Sequence, residues 1–320
     1  MAKITGPLMS VSASGSIAKR LTFSQRKSGQ QVRFQKAQKD VITDARTTAR
    51  ANYTLAYTAW GFLNSAEKEV YNDRAKGQQL TGFNLFVKEF ILYSFLDPSL
   101  VAYYPFIIGT GETLHDLSGN ENNGLLKPSY PANAPSWVAG KDYKMPNALS
   151  FDGIDDYVGV GDIAANAETI DLWFYNNNVI DHTSPAEGLI NLGVYDSTNY
   201  NWIALGVVTS LLDDELITVM HRENNIQYRS GYTSLTASIA VGWHHLVIVR
   251  VGGAENYRIY LDNVRVDNAY NGSGAPAHSA NNVLVGTRIL TAPENKGEYF
   301  DGLIARLCIY DRALSEDEFL

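Results

Sequence analysis

The step Phe-Asp-Gly occurs twice in this chain, at Phe151-Asp152-Gly153 and again at Phe300-Asp301-Gly302, and no other feature constrains the fold as much. Before the first copy stands Leu149, and after it, beyond a cluster of Gly and Asp, come Tyr157, Val158 and Val160. That pattern predicts a strand that bends, sheds carboxylates at a corner and resumes. Two apolar strands carrying one shared step, far apart in sequence, predict a β domain closed by pairing an early strand with the last one.

From Asp97-Pro98-Ser99 onward the chain reads as β. Strands are predicted at Leu100 to Phe106, Ala148 to Phe151, Tyr157 to Val160, Glu168 to Tyr175, Leu189 to Val194 and Trp202 to Val208. Others are predicted at Leu216 to His221, Trp243 to Val251, Tyr257 to Leu261, Asn282 to Val285 and Leu303 to Tyr310. Short, alternating segments separated by Gly, Asn, Asp and Pro predict a mainly β fold, a two-sheet antiparallel sandwich. With 320 residues, 45% of them apolar, there is ample material for its core. The single cysteine, Cys308, sits between Leu307 and Ile309 and reads as a buried filler. No apolar run has signal-peptide or membrane-spanning length, so no membrane partner is expected.

Charge divides the chain. Residues 1 to 92 hold 14 Lys and Arg against 6 Asp and Glu, and the rest hold 12 against 28, a basic part at +8 and an acidic part at −16. Such asymmetry predicts two parts with different partners. Residues 1 to 16 are small and polar and predict a flexible arm. From Ile17 a basic hairpin is predicted, with Leu21 and Phe23 alternating, a turn at Lys27 to Gln30, and Val32 and Phe34 alternating again. Helices follow, one from Thr43 or Asp44 to Ala59 or Trp60, one from Asn64 or Ser65 to Gly77, and one opening at Thr81 with Phe83, Phe86, Val87 and Phe90 as its apolar face. Domain boundaries are therefore expected at 1–16 (arm), 17–96 (basic hairpin and helical module) and 99–320 (β domain).

Ala59-Trp60, the Ser65-Ala-Glu67-Lys68 start, Tyr71, and Thr81-Gly82-Phe83-Asn84 with Phe86 resemble a small module near the N-terminus of phage and prophage structural proteins. The likeness covers about residues 15 to 90 and departs at residues 37 to 43, where a Pro-rich link is missing. The spacing of Trp60, Leu63, Glu67, Lys68 and Tyr71 is also similar to part of an HMG box, without that domain's arm and wedge residues. The phage-like resemblance implies attachment to a virion, with Lys19, Arg20, Arg26, Lys27, Arg33 and Lys36 as anchoring residues. A nucleic-acid contact and a merely solvated basic face are the lesser readings.

A second resemblance covers residues 99 to 320. Val101-Ala-Tyr-Tyr-Pro-Phe106, His115-Asp-Leu-Ser-Gly-Asn-Glu-Asn-Asn-Gly124, the stretch from Ala148 to Val158, Gly242-Trp-His-His-Leu-Val247, Arg258-Ile-Tyr-Leu-Asp-Asn263 and Phe300 to Ser315 stand in the order found in laminin-G-like, concanavalin A-like jelly rolls. The resemblance implies a carbohydrate- or protein-binding module, frequently with one calcium ion, and less often an enzyme.

The residues themselves bound the chemistry. His244 and His245 are adjacent in a strand and must face opposite ways, so they cannot share one ion and read as structural. Asp116, Ser118, Asn120 and Asn123 form an oxygen-rich turn to which Asp152 and Asp301 could add carboxylates, so a calcium ion is the one candidate cofactor. The alternative is that these side chains cap turns through their own backbone. Tyr195, Tyr200, Trp202 and Tyr232 are the candidate glycan contacts, since rings stack on sugar faces. Retaining glycosidases need two carboxylates about 5 Å apart, and in this fold family these resemble a Glu-x-Asp-x-x-Glu run, which the sequence lacks. Asp213 to Glu215 and Glu316 to Glu318 read as solvated charge, and no nucleophilic triad, phosphate loop or zinc spacing occurs.

The expected protein is a non-enzymatic virion structural protein, a capsid decoration, turret or fibre head at the virion surface. Its N-terminal module binds other virion proteins, its lectin-like domain faces host or environmental glycans, and a homo-oligomer is expected. A tail or baseplate adhesin is the second reading and a glycan-degrading enzyme the third.

Overall fold

A computed structural model describes residues 15–17, 21–26, 29–34, 44–63, 65–93, 97–107, 109–142, 145–163, 166–193, 199–206, 215–233, 236–275, 278–279, 282–291 and 295–319. The chain divides into two units, Met1–Ala51 and Asn52–Leu320. The first holds a three-stranded antiparallel sheet of β1 (Gly15–Ile17), β2 (Leu21–Arg26) and β3 (Gly29–Phe34). Strands β2 and β3 are the expected hairpin, with Phe23 opposite Val32 and Arg26 opposite Gly29 at the turn. Gly15 pairs with Phe23 and Ile17 with Leu21, so Gly15 and Ser16 of the expected arm lie in a strand, where the backbone finds ladder partners instead of water, and the rest of that stretch lies outside the described residues.

Helix α1 (Asp44–Phe62) begins in this unit and runs into the second, followed by α2 (Ser65–Ala75) and α3 (Gly82–Tyr93). Gly77, at φ +83°, follows α2 in the left-handed conformation that helix ends favour. Thr81 Oγ1 accepts the N–H of Asn84 at 3.2 Å, which caps α3. In the second unit, Ala56, Ala59, Leu63, Tyr71, Phe86 and Phe90 make a small core. Trp60 is half-buried against it, edge-on to Tyr71 with ring centroids 6.0 Å apart. Ile107 and Leu117 from the β region pack on the same cluster. The compact units divide inside α1.

Two antiparallel sheets make the sandwich. One is eight-stranded in the order β18 (Val264–Arg265), β17 (Asn256–Leu261), β16 (Gly242–Gly252), β11 (Thr169–Asn176), β24 (Asp301–Tyr310), β8 (Met145–Asp152) and β7 (Ser136–Asp142). Its eighth strand, β4 (Leu100–Tyr104), also pairs with β24. The other is nine-stranded, in the order β19 (Ala269–Asn271), β15 (Ile226–Thr233), β14 (Glu215–Glu223), β13 (Tyr200–Leu205), β12 (Glu187–Asn191), β21 (Val283–Val285), β9 (Tyr157–Gly161), β6 (Gly124–Lys127) and β5 (Thr113–Leu114). Two short ladders complete the set, β10 (Asn166–Ala167) with β20 (His278–Ser279), and β22 (Arg288–Thr291) with β23 (Asn295–Gly297).

Alternation decides which side chains enter the core. Ile170, Leu172 and Phe174 of β11, Leu246 and Ile248 of β16, and Leu149 and Phe151 of β8 meet Ile203 and Leu205 of β13 and Ile217 and Val219 of β14. Each such side chain contributes about 1.5–3 kcal/mol by leaving water. Strand β24 is the axis of its sheet. Its first residues pair with β8, Asp301 opposite Asp152 and Gly302 opposite Phe151. Its last residues pair with β4, Leu307 opposite Tyr104 and Cys308 opposite Tyr103. The expected closure of an early strand on the last one is thus made through the two Phe-Asp-Gly steps. Cys308 is fully buried, and burial pushes its thiol up to about 12.

Candidate functional site

The residues between the inward-facing ones of β11, β16, β24, β8 and β7 point away from the core and form rows across the outer face of the eight-stranded sheet. In one row, Trp243 pairs with Tyr175, Tyr175 with Leu303, Leu303 with Ser150, and Ser150 with Ser136. In the next, His245 pairs with Trp173 and Trp173 with Arg306. Trp173, Tyr175, Trp243, Leu303 and Arg306 are all half-buried, and Lys141 at the edge is exposed. On the other side of the aromatic row stand Asp152 and Asp301, whose neighbours Asn177 and Asn178 donate to Asp301 at 2.6 and 3.1 Å. Successive outward rows lie about 6.6 Å apart along the strands. An apolar, aromatic band is therefore bordered by carboxylates on one side and by cations and N–H donors on the other.

The donor side is built in layers. Trp173 stacks on His245 with centroids 4.8 Å apart and planes at 8°. Lys141 Nζ lies 4.2 Å from the Trp173 centroid. In the next row along the strands stands Asp171, its Oδ1 3.0 Å from His245 Nε2 and 3.5 Å from Arg306 Nη2. Burial works against the Arg306 charge, yet Asp171 holds its pKa above the ordinary value. His244 faces the other way, toward Phe174, with Nδ1 2.8 Å from Asp262 Oδ2 and Nε2 2.8 Å from the carbonyl of Ala240. The two imidazoles serve separate structural pairs, as alternation requires.

At the carboxylate side, Asp152 Oδ1 accepts the N–H groups of Ile154 and Asp155 at 2.9 and 3.3 Å, and Asp156 Oδ2 accepts that of Asp152 at 3.2 Å. Oxygens of Asp152, Asp155 and Asp156 come within 4.8 Å of one another, so these three could hold a metal ion. Burial, with Asp152 beside it, pushes Asp156 up to about 6. Glu187 Oε2 accepts the N–H of Asp301 at 3.2 Å, and burial pushes its carboxyl up to about 7.

The residues singled out for calcium do not converge. Asp152 and Asp301 sit where β24 begins, whereas Asp116 sits at β4, beside the last residues of β24. Seven residue steps along the strand take Asp301 to Cys308, the partner of Tyr103, a distance of roughly 23 Å. Asp116 Oδ1 accepts from the N–H groups of Tyr103 and Ser118, both at 2.9 Å. Its Oδ2 accepts from Ser118 Oγ at 2.8 Å and the Asn122 N–H at 2.9 Å. Asn123 Oδ1 accepts the Asp116 N–H at 2.9 Å, and Asn120 Nδ2 donates to the carbonyls of Leu100 and Val101 at 3.2 and 3.0 Å. Among the alternatives read from sequence, this turn takes the capping form, with its oxygens occupied by N–H and O–H donors.

Nor do the residues chosen for sugar stacking form one surface. Trp202 is 3% exposed and lies under Arg288, whose guanidinium carbon is 4.1 Å from the ring centroid. Tyr232 packs against the main core. Trp202 and Tyr232 thus belong to opposite faces of the nine-stranded sheet, since Trp202 clusters with Ala204 and Met220 outside it. Tyr195 lies outside the described residues, and Tyr200 is placed in β13 by its backbone alone. Of the anchoring candidates, Arg26 and Arg33 lie in β2 and β3, and Lys19, Arg20, Lys27 and Lys36 lie outside the described residues. The aromatic band escaped sequence reading, though Trp173 and Tyr175, two apart in a predicted strand, carried the signal of a shared face.

Sheet order and alternation define a two-sheet antiparallel β-sandwich. The family model described as the concanavalin A-like lectin/glucanases superfamily, of laminin G type, matches residues 151–319, and the chain belongs to that superfamily. No curated protein matches the sequence. Among solved structures, domain 4 of AbnA, a GH43 extracellular arabinanase from Geobacillus stearothermophilus in complex with arabinotriose, is 21% identical, over 69% of this chain and 96% of that one, with a TM-score of 0.48. A mutant Trypanosoma rangeli sialidase displaying trans-sialidase activity is 10% identical, over 93% of this chain and 41% of that one, with a TM-score of 0.46. The binding domain of Botulinum neurotoxin DC in complex with SialylT is 12% identical, over 69% and 49%, with a TM-score of 0.38. At these identities and scores the likenesses say nothing about what this chain binds.

Proposed function

We propose that this chain is a virion structural protein whose sandwich binds glycans at the outer face of the eight-stranded sheet. One observation carries the binding half of the reading: the half-buried row of Trp243, Tyr175 and Leu303, bordered by carboxylates and by donors. A partly exposed apolar strip rimmed by polar groups suits an interaction site, and sugars present both an apolar ring face and hydroxyls that need partners. Superfamily membership supports the same class of ligand. The virion half rests on the phage-like residues between about 15 and 90 and on the basic N-terminal charge. The anchoring module, the decoration, turret or fibre placement and a homo-oligomer belong to this half of the proposal, and a tail or baseplate adhesin is its alternative.

Binding without hydrolysis is part of the proposal. Asp152 and Asp301 lie side by side on paired strands and are engaged by backbone and amide donors, whereas glycosidic cleavage needs carboxylates on opposite sides of the bond. A calcium ion at Asp152, Asp155 and Asp156 is likewise proposed, supported by their spacing.

A glycan array probed with the full chain tests the binding half. Signal abolished by Trp243→Ala supports it, and an empty array at millimolar oligosaccharide sinks it. Mass spectrometry of purified particles tests the virion half, which fails if the chain is absent from them. Release of reducing ends from any bound polysaccharide would replace binding with catalysis.

A further inference from the structure

The outer face of the eight-stranded sheet closes along its strands and stays open across them. One row from Trp243 and Tyr175, His245 is buried beside Trp173, and Lys141 Nζ lies 4.2 Å from the centroid of that Trp173 ring. One row further, Asp171, Val247 and Cys308 are buried. The C-terminal segment covers that end of the face. Leu314 packs with Tyr103, Cys308 and Tyr310, Phe319 packs with Val247, Val249 and Tyr260, and the Tyr260 hydroxyl donates to Glu316 at 3.0 Å. In the opposite direction the strands run into the Asp152 corner, where Asn177 and Asn178 donate to Asp301.

Across the strands nothing of this kind intervenes. Trp243 of β16, Tyr175 of β11, Leu303 of β24, Ser150 of β8 and Ser136 of β7 follow one another as cross-strand partners. The first four are half-buried and Ser136 is exposed. Among the described residues no strand walls either end of the row. Strand β17 reaches only to Leu261, opposite Leu246 and short of Trp243, and β7 is the last strand of its sheet.

We infer that the ligand of this face is the interior of a linear glycan, a run of about four consecutive sugars laid across strands that stand about 4.8 Å apart; the inference rests on the glycan reading above. Four such spacings carry the row from Trp243 to Ser136, about 19 Å, and one pyranose advances an extended chain by a similar step. The row offers one contact per strand. Its two aromatic rings and Leu303 meet the apolar faces of sugars, and Ser150 and Ser136 bring hydroxyls that both donate and accept. A single terminal sugar is held instead by a concave pocket whose polar groups converge on it, and the polar groups of this row are spread over separate strands. A chain laid along the strands would reach Trp173 and then the shielded row of Asp171 within about 13 Å.

The test is a glycan array, probed with the full chain, that carries size series of two to six units from linear β-glucans, β-mannans, β-xylans and chitin beside branched glycans ending in sialic acid, galactose or fucose. Calorimetry follows on every positive series. At least one linear series is expected to bind, with affinity rising roughly tenfold from two units to four and levelling off beyond. Reduction of the end sugar is expected to leave the affinity of six units as it was. Ser136→Arg, on the exposed edge strand, is expected to remove most of the gain from length, and thermal melts confirm that the variant folds. Signal confined to the branched glycans, equal affinity for two units and six, affinity lost on reducing the end sugar, or a gain from length untouched by Ser136→Arg overturns the inference while the glycan reading stands. An empty array overturns both.

Discussion

Gly153 donates its backbone N–H to the carbonyl of Phe300 over 3.1 Å, so the two Phe-Asp-Gly steps hold each other. Gly153 takes φ +73°, and a Cβ there would lie 3.0 Å from the Cβ of Asp301. A Cβ on Gly302 would lie 2.1 Å from the carbonyl oxygen of Tyr175. Glycine is required in both copies, once for conformation and once for space. The phenylalanines meet inside, Phe151 and Phe300 at 6.1 Å between centroids.

Asp152 and Asp301 are left facing each other across that pair, and like charges directly opposite are destabilising. Asp152→Asn keeps an oxygen for the Ile154 and Asp155 N–H groups and removes one charge. It is expected to raise stability by about 0.2–1 kcal/mol at neutral pH, measured by urea denaturation. A loss of stability instead would mean that the carboxylate answers a need that no amide meets.

Two raised carboxyls are expected to give the sandwich an acid-side optimum. Asp156 stands at about 6 and Glu187 at about 7 in the folded chain, above their unfolded values. The folded state therefore holds more protons between roughly pH 4 and 7, and stability falls as pH rises through that window. At lower pH the slope reverses, because Asp97, Asp267 and Glu318 are held below their ordinary values and lose their partners on protonation. Thermal midpoints across pH 3–8 should peak near pH 5, and Glu187→Gln should flatten the alkaline limb.

The Asp116 carboxylate braces its turn through four donors. Asp116→Ala strands the Tyr103 N–H in a buried strand and is expected to cost about 3 kcal/mol. Asp116→Asn should leave any calcium-dependent shift in melting temperature intact, whereas Asp155→Asn should abolish it. A calcium shift lost in Asp116→Asn would move the ion to the turn.

Two tryptophans separate stability from binding. Trp202→Ala empties a buried site under Arg288 and is expected to cost about 3–5 kcal/mol, with glycan affinity kept in the folded fraction. Trp243→Ala opens no sealed cavity, and its expected effect is a roughly tenfold loss of affinity, equivalent to about 1.4 kcal/mol. Calorimetry and denaturant titration on the same samples read both.

All eleven predicted strands are present because their apolar residues alternate with the period of a half-buried sheet. Ser136–Asp142 escaped notice since it is an edge strand with few buried side chains. Ile226–Thr233 escaped because its inward residues include Tyr228, Ser230 and Tyr232, which alternate in size but hardly in polarity. The helical module was legible from its Trp, Tyr and Phe spacing. Its allegiance to the sandwich was not, because the contacts of Ile107 and Leu117 depend on a meeting that no local pattern encodes.

By itself the sequence determined the β class, the superfamily, the closure of β8 on β24 and the opposite facing of His244 and His245. All of these follow from local alternation or from motifs that survive in linear order. Tertiary structure alone decided which polar residues share a site. It separated Asp116 from Asp152 and Asp301 by the length of one strand, buried Trp202 under Arg288, and brought Lys141 over the ring of Trp173 from another strand. Cross-strand register sets those distances, and register is a property of how strands meet, not of any one of them.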